Sequence, residues 1–176
     1  DIQRGTKQGD PLSSSLFNAL SESFFRRLQY KWSRRQCGIH LAPCSDTALT
    51  NLRFADDVLL FATSLPQLKT MLAETADEAR RVGLELHPDK TKILHNVTRR
   101  RPSQPEHTHL NGLDIEILPY SASQKYLGRK LTYLTPNQSE VENRIAAAWR
   151  KFHVLKQELT TKSYSLKGRL RLFHGT

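Results

Sequence analysis

The sequence predicts an α+β fold, an antiparallel sheet packed on helices and followed by a purely helical, basic segment. Three observations carry this reading. Short apolar runs meet in pairs at tight turns, helix-period stripes lie between them, and beyond Pro136 only the helical period remains. The change of pattern puts a boundary near residue 135, with a mixed unit over residues 1–135 and a helical one over residues 136–176.

After a polar opening, Leu12, Leu16, Leu20, Phe24, Leu28 and Trp32 recur every four residues, with Arg26, Arg27, Arg34 and Arg35 between them. That spacing predicts an amphipathic helix. Residues 37–48 read as irregular. Two apolar runs follow, residues 49–54 and 58–62, with Asp56 and Asp57 where they meet, the pattern of a β-hairpin with carboxylates at its tip. Ser64 with Gln67 three residues on is a capping-box signature. Leu65, Leu68, Leu72, Ala76, Ala79 and Val82 then keep helical spacing up to Gly83, and this helix should pack behind the hairpin.

Leu84 and Leu86 alternate with polar residues as a short strand, and residues 99–105, with Arg99, Arg100 and Arg101 near Pro102 and Pro105, read as a loop. Asn111 and Gly112 signal a second hairpin. From Pro136, Val141, Ile145, Ala148, Trp149, Phe152, Leu155 and Leu159 trace one face of a long helix, which makes Trp149 and Phe152 core residues rather than base-stacking ones.

The formal net charge is +10, which points to a polyanionic partner. Residues 144–171 hold eight Lys or Arg against the single acidic Glu158, so this stretch alone supplies +7. Two cysteines, Cys37 and Cys44, exclude a disulfide framework. With His40 they would bind zinc only given a fourth ligand, so they read as reduced structural thiols. No apolar run approaches the ~18 residues of a membrane span. The chain opens on Asp1, and residues 165–173 read as a helix cut short, so it is expected to be a piece of a longer polypeptide.

Four motifs carry chemistry. Two adjacent carboxylates at a hairpin tip repel each other, so a fold that keeps Asp56 beside Asp57 points to an external hard cation such as Mg2+. Alone, the pair is also an ordinary exposed turn. Upstream, residues 4–18 read RGTKQGDPLSSSLFN, in which Asp10 and Pro11 make a loop-to-helix junction. There Gly9 lets the backbone approach a ligand closely, and Gln8 can donate and accept at a base or sugar edge. Downstream, residues 83–92 read GLELHPDKTK, and Tyr126, Leu127 and Gly128 follow the second hairpin.

In this order, over residues 4–128, the four motifs resemble those of the reverse transcriptases, and the wording QGDPLS with LFN, FADD and YLGRKLT is similar to the non-LTR (LINE-type) retrotransposon lineage. The resemblance implies the later part of a right-hand polymerase palm over residues 1–135 and the start of a helical thumb. It implies template-directed addition of deoxynucleoside triphosphates to a DNA primer 3′-hydroxyl on an RNA template. Two Mg2+ ions, with Mn2+ as the alternative, would be held by Asp56 and Asp57. Arg4, Gln8 and Gly9 would line the nucleotide and template site. Lys90, with Lys92 as its rival, would lie near the triphosphate and protonate the leaving pyrophosphate. Tyr126, Leu127 and Gly128 would grip the primer, and Arg144, Lys151, Lys156 and Lys162 would contact phosphates, so affinity should fall with salt.

Departures from the family pattern are Ser14 where Pro is common, His87 where Asn is common and Phe54 where the wider family has Tyr. None removes a metal ligand. The fingers and the first catalytic carboxylate are expected before Asp1, so the chain alone should not polymerise. The rival reading is a maturase-like or domesticated nucleic-acid-binding protein without synthesis. An RNA-dependent RNA polymerase is a second rival, although its Asp pair is usually preceded by Gly where Ala55 stands here. No membrane partner is expected, the oligomeric state is unread, and a nuclear location follows only from lineage.

Overall fold

The computed structural model describes residues 11–42, 47–97, 106–110 and 112–174. The chain divides by internal packing into two units, residues 1–93 with 107–117, and residues 94–106 with 118–176.

In the first unit α1 (Pro11–Arg34) is followed by a hairpin of β1 (Asn51–Phe54) and β2 (Asp57–Leu60), and then by α2 (Leu65–Arg81). Phe24, Phe25, Leu28 and Trp32 of α1 form a core cluster with Cys37 and Met71, closed by Val58, Leu60 and Ala62 of the hairpin side. Each large side chain fully buried there contributes roughly 1.5–3 kcal/mol relative to exposure. The four-residue stripe does not serve as core along its whole length. Leu12 and Leu16 are 67% and 58% exposed, whereas among the described residues the polar contacts of α1 with the hairpin and α2 run through Glu22, Arg27, Lys31 and Trp32, and through Arg35 just after the helix.

Helix α2 starts as the sequence predicts. The Ser64 hydroxyl accepts from the Gln67 N–H at 3.3 Å, while Gln67 Oε1 accepts from the Thr63 N–H at 3.1 Å and the Gly38 N–H at 3.3 Å. The return bond of the box is thus shifted by one residue and also ties in the loop after α1. At the other end Gly83 takes φ +79°, its N–H bonding the Arg80 carbonyl at 3.0 Å and that of Leu84 the Ala79 carbonyl at 2.9 Å. This is a Schellman motif, which needs the left-handed residue that glycine supplies.

One carboxylate clamps the two helices. Glu74 accepts from Trp32 Nε1 at 2.8 Å, from Lys31 Nζ at 2.6 Å and from Arg35 at 2.6 Å. Burial pushes the Glu74 carboxyl up, but the hydrogen bonds from Lys31, Arg35 and Trp32 outweigh it and hold the group below its usual range. A lowered folded-state pKa stabilises fully above the ordinary glutamate range and is lost as pH falls through the lowered value. Urea midpoints of the chain are therefore expected to drop between about pH 5 and pH 3, and Glu74→Gln should flatten that dependence. An equally steep drop in the variant would remove the clamp from the account.

Residues 84–86, read from the sequence as a strand, form none, because they have no ladder partner among the described residues. Leu84 still packs on the first cluster and Leu86 on the second. The strand comes later: β3 (Lys92–Ile93) pairs in parallel with β5 (Leu113–Ile117), which lies beside β4 (Glu106–Leu110) in the order β3-β5-β4. Ile93, Ile115, Ile117 and Leu72 make the second core cluster. Cys37 is a buried core thiol, and burial pushes its pKa up. Cys44, Asn111 and residues 99–105 lie outside the described residues.

The second unit holds a hairpin of β6 (Gln124–Tyr126) and β7 (Arg129–Leu131), then α3 (Pro136–Val154), α4 (Lys156–Thr160) and α5 (Leu166–His174). The single long helix expected beyond Pro136 is interrupted at Leu155. The core assignment of Trp149 is also corrected, since it is 58% exposed, as are Val141 and Ile145 to a similar degree, while Phe152 is half-buried. The reason is which face packs: Glu140 and Asn143 bond the hairpin, and Ser139 beside them is buried and bonds Thr135, so the apolar stripe is turned away from the hairpin. No helix among the described residues is long and apolar enough to cross a membrane.

Candidate functional site

The hairpin that carries the acidic pair is short and tightly specified. Cross-strand register sets Asn51 against Leu60, Arg53 against Val58 and Phe54 against Asp57, leaving Ala55 and Asp56 as a two-residue turn. Alternation then gives two faces. Val58 and Leu60 point to the core, whereas Phe54, exposed, shares the outward face with Asp57. Arg53 fixes the hairpin to α1, donating to Glu22 at 2.7 Å and lying 4.7 Å above the Phe25 ring. Its hydrogen bond is the main cause that lowers the Glu22 pKa.

Ala55 takes φ +51°, a conformation that L-residues with a Cβ seldom adopt. Such a residue is held in place by its surroundings and is frequent at binding sites. Here it turns the chain so that Asp56 and Asp57 follow one another at the tip. Both are exposed, and neither carboxylate has a hydrogen-bond or ion-pair partner among the described residues. Two adjacent hard oxygen donors with no protein cation against them fit a hard divalent ion. Among the described residues no group of three or more His, Cys, Asp or Glu converges, so this surface supplies two carboxylates and no closed metal cage.

Lys90 ends a 3-10 turn, Pro88–Lys90, and its ammonium is exposed with no partner among the described residues. Lys92, its rival, lies opposite Glu116 in the β3–β5 register and forms an ion pair with it. The two lysines that sequence could not separate are thus distinguished by their surroundings. In the second unit Tyr126 ends β6, and Leu127 and Gly128, at φ +48° and +78°, form the turn to Arg129. Positive φ at both central residues is the mark of a type I′ hairpin turn, which needs the freedom that Gly128 has.

Arg144 bonds Glu140 at 2.9 Å, whereas Lys151, Lys156 and Lys162 are exposed and unpaired among the described residues. Arg4, Gln8 and Gly9 lie outside the described residues. Asp56, Asp57 and Lys90 fall in the first unit, and Tyr126, Leu127, Gly128 and the helical cations in the second.

Residues 1–131 match the family described as reverse transcriptase (RNA-dependent DNA polymerase). The chain belongs to the reverse transcriptase family. It is 33% identical over 181 residues to the Pol polyprotein of a type-1 retrotransposable element R2 from Popillia japonica, covering 99% of this chain and 28% of that protein. It is 40% identical over 136 residues to the corresponding polyprotein of the type-2 element R2DM from Drosophila melanogaster, covering 73% of this chain and 12% of that protein. Against a transposon-derived protein of Caenorhabditis elegans it is 35% identical over 133 residues, 71% of this chain and 43% of the other. This reverse transcriptase chain therefore spans less than half of each relative, and its lineage is the non-LTR, LINE-type one that its motifs resemble. The family works with template, primer and nucleotide substrates and uses divalent metal ions.

Reasoning from sequence missed Ala55 as a conformational element, Arg53 with Glu22 as the hairpin anchor, and Glu140 with Asn143 as partners of the β6–β7 hairpin. Only the last pair left a trace, polar residues three apart on one helical face.

Proposed function

We propose that the chain forms the metal-binding part of a palm and the beginning of a thumb, within a polypeptide that copies RNA into DNA by adding deoxynucleotides to a primer 3′-hydroxyl. The single observation that supports this most is the Ala55 turn, which presents Asp56 and Asp57 side by side, exposed and without cations against them among the described residues. These two residues would hold Mg2+, or Mn2+ in its place. When bound, such ions activate the attacking oxygen and offset charge on the triphosphate.

The rest belongs to the chain's own groups. The exposed Phe54 ring shares a face with Asp57 and offers an apolar wall to the nucleotide or primer end. The Lys90 ammonium, unpaired among the described residues, is the proton donor to the leaving pyrophosphate, whereas Lys92 is occupied by Glu116. Arg4, Gln8 and Gly9 line the template and nucleotide site, and Tyr126, Leu127 and Gly128 meet the primer. Lys151, Lys156 and Lys162 contact phosphates of the duplex, with Arg144 shared between Glu140 and solvent.

Primer extension by the complete polypeptide on an RNA template tests this directly, with deoxynucleotides incorporated in preference to ribonucleotides. Within that assay, Lys90→Ala is expected to slow nucleotide addition by about 10²-fold, as loss of a general acid does. Lys92→Ala should instead lower stability with little change in rate. Equal rates for Lys90→Ala and the unaltered protein would remove Lys90 from the chemistry.

A further inference from the structure

The Gln124–Leu131 hairpin has little to hold it together on its own. Each strand is three residues long, and isolated two-stranded hairpins are marginal in water. Its turn also places Leu127, a residue with a Cβ, at φ +48°, where a left-handed backbone is disfavoured. The Leu127 side chain stays 46% exposed, so burial does not offset that cost.

Support comes from one face of α3. Asn143 Nδ2 donates to the Gly128 carbonyl at 2.8 Å, at the turn itself. Glu140, three residues earlier and with its side chain only 14% exposed, accepts the Lys130 N–H at 3.2 Å and pairs with the Arg129 side chain at 3.4 Å. Arg144, one helical turn on, holds the same carboxylate at 2.9 Å. The turn carbonyl and both residues that follow it are therefore fastened to a rigid helix through side chains, while Leu127 is left outward.

We infer that Asn143 and Glu140 are positioning residues, which fix the Leu127–Gly128 turn in the shape that a primer strand meets. This rests on reading Tyr126, Leu127 and Gly128 as the primer-contacting turn. A polymerase needs the primer end held to a fraction of an ångström, since a displacement of about 1 Å can lower the rate by about 10²-fold. The turn conformation transmits that placement, and the two α3 side chains maintain it.

The test uses the complete polypeptide in single-turnover extension of a labelled DNA primer on RNA, which separates rate constant, burst amplitude and duplex affinity. Asn143→Asp keeps the shape but loses the amide donor, and Glu140→Gln keeps an acceptor but loses the charge. Both are expected to lower the rate constant by about tenfold, with burst amplitude and duplex affinity within about twofold, and Asn143→Gln should recover part of the loss. A reduced amplitude with an unchanged rate constant would mean a merely structural contact and overturn the inference. Gly128→Ala meets no atom within 4 Å, so it strains the turn without a clash and probes the underlying reading. If Gly128→Ala and Tyr126→Ala both leave extension unchanged, the primer-contact reading fails. If they slow it and the α3 variants do not, the positioning role alone fails.

Discussion

Asp56→Asn in the complete polypeptide is expected to reduce nucleotide addition by about three orders of magnitude, because a bound divalent ion supplies several kcal/mol of transition-state charge stabilisation. The substitution keeps the shape of the side chain and removes its charge. Folding should be untouched, since Asp56 is exposed at the turn and has no partner among the described residues. Melting followed by circular dichroism is thus expected to match the unaltered protein, which separates loss of chemistry from loss of structure. A rate within tenfold of the unaltered protein would take the acidic pair out of the reaction, and with it the proposed function.

The second large effect concerns stability. Trp32 is fully buried and edge-on to Phe25 at 6.4 Å between ring centroids. Trp32→Ala is expected to cost about 3–5 kcal/mol through lost burial and the cavity left behind. That is a large part of the 5–15 kcal/mol typical of a folded domain. It also deprives Glu74 of one of its three donors, leaving Lys31 and Arg35. Trp32→Phe, which retains most of the volume but not the N–H, should cost less. Urea unfolding of the chain reads both, and a loss under about 1 kcal/mol for Trp32→Ala would contradict the described core.

Much of the first unit was legible because local signals and tertiary packing agree there. The Ser64 cap, the Gly83 stop and the helical stripe between them each state the same limits for α2. The acidic hairpin was legible for the same reason, with two apolar runs meeting at two polar residues. Where pairing is non-local, sequence is silent: β3 is two residues long and finds β5 from more than twenty positions away. The exposed Leu12, Leu16 and Trp149 mark another limit. Periodicity names an apolar face but not the element that covers it, and on α3 the polar face is the packed one.

At the site, residue types were legible and conformations were not. An alanine gives no hint of positive φ, so the strain at Ala55 is visible only in three dimensions. Lys90 and Lys92 are alike on paper and differ once Glu116 lies beside one of them. The Glu140–Arg144 pair has ordinary i,i+4 helical spacing, but the Lys130 N–H and Arg129 that Glu140 also holds come from the hairpin, which chain order does not bring to mind.

The fastening of the β6–β7 hairpin to α3 also bears on how this polypeptide can be dissected. A truncation after residue 135, where the sequence pattern changes, would strip Gly128 and Lys130 of their anchors and leave a loose ribbon. A cut ahead of Leu118 would keep that ribbon and its helix in one piece. Grip on a growing strand would then be geared to the helical segment, so that whatever shifts α3 drags the fingertip of the hairpin with it.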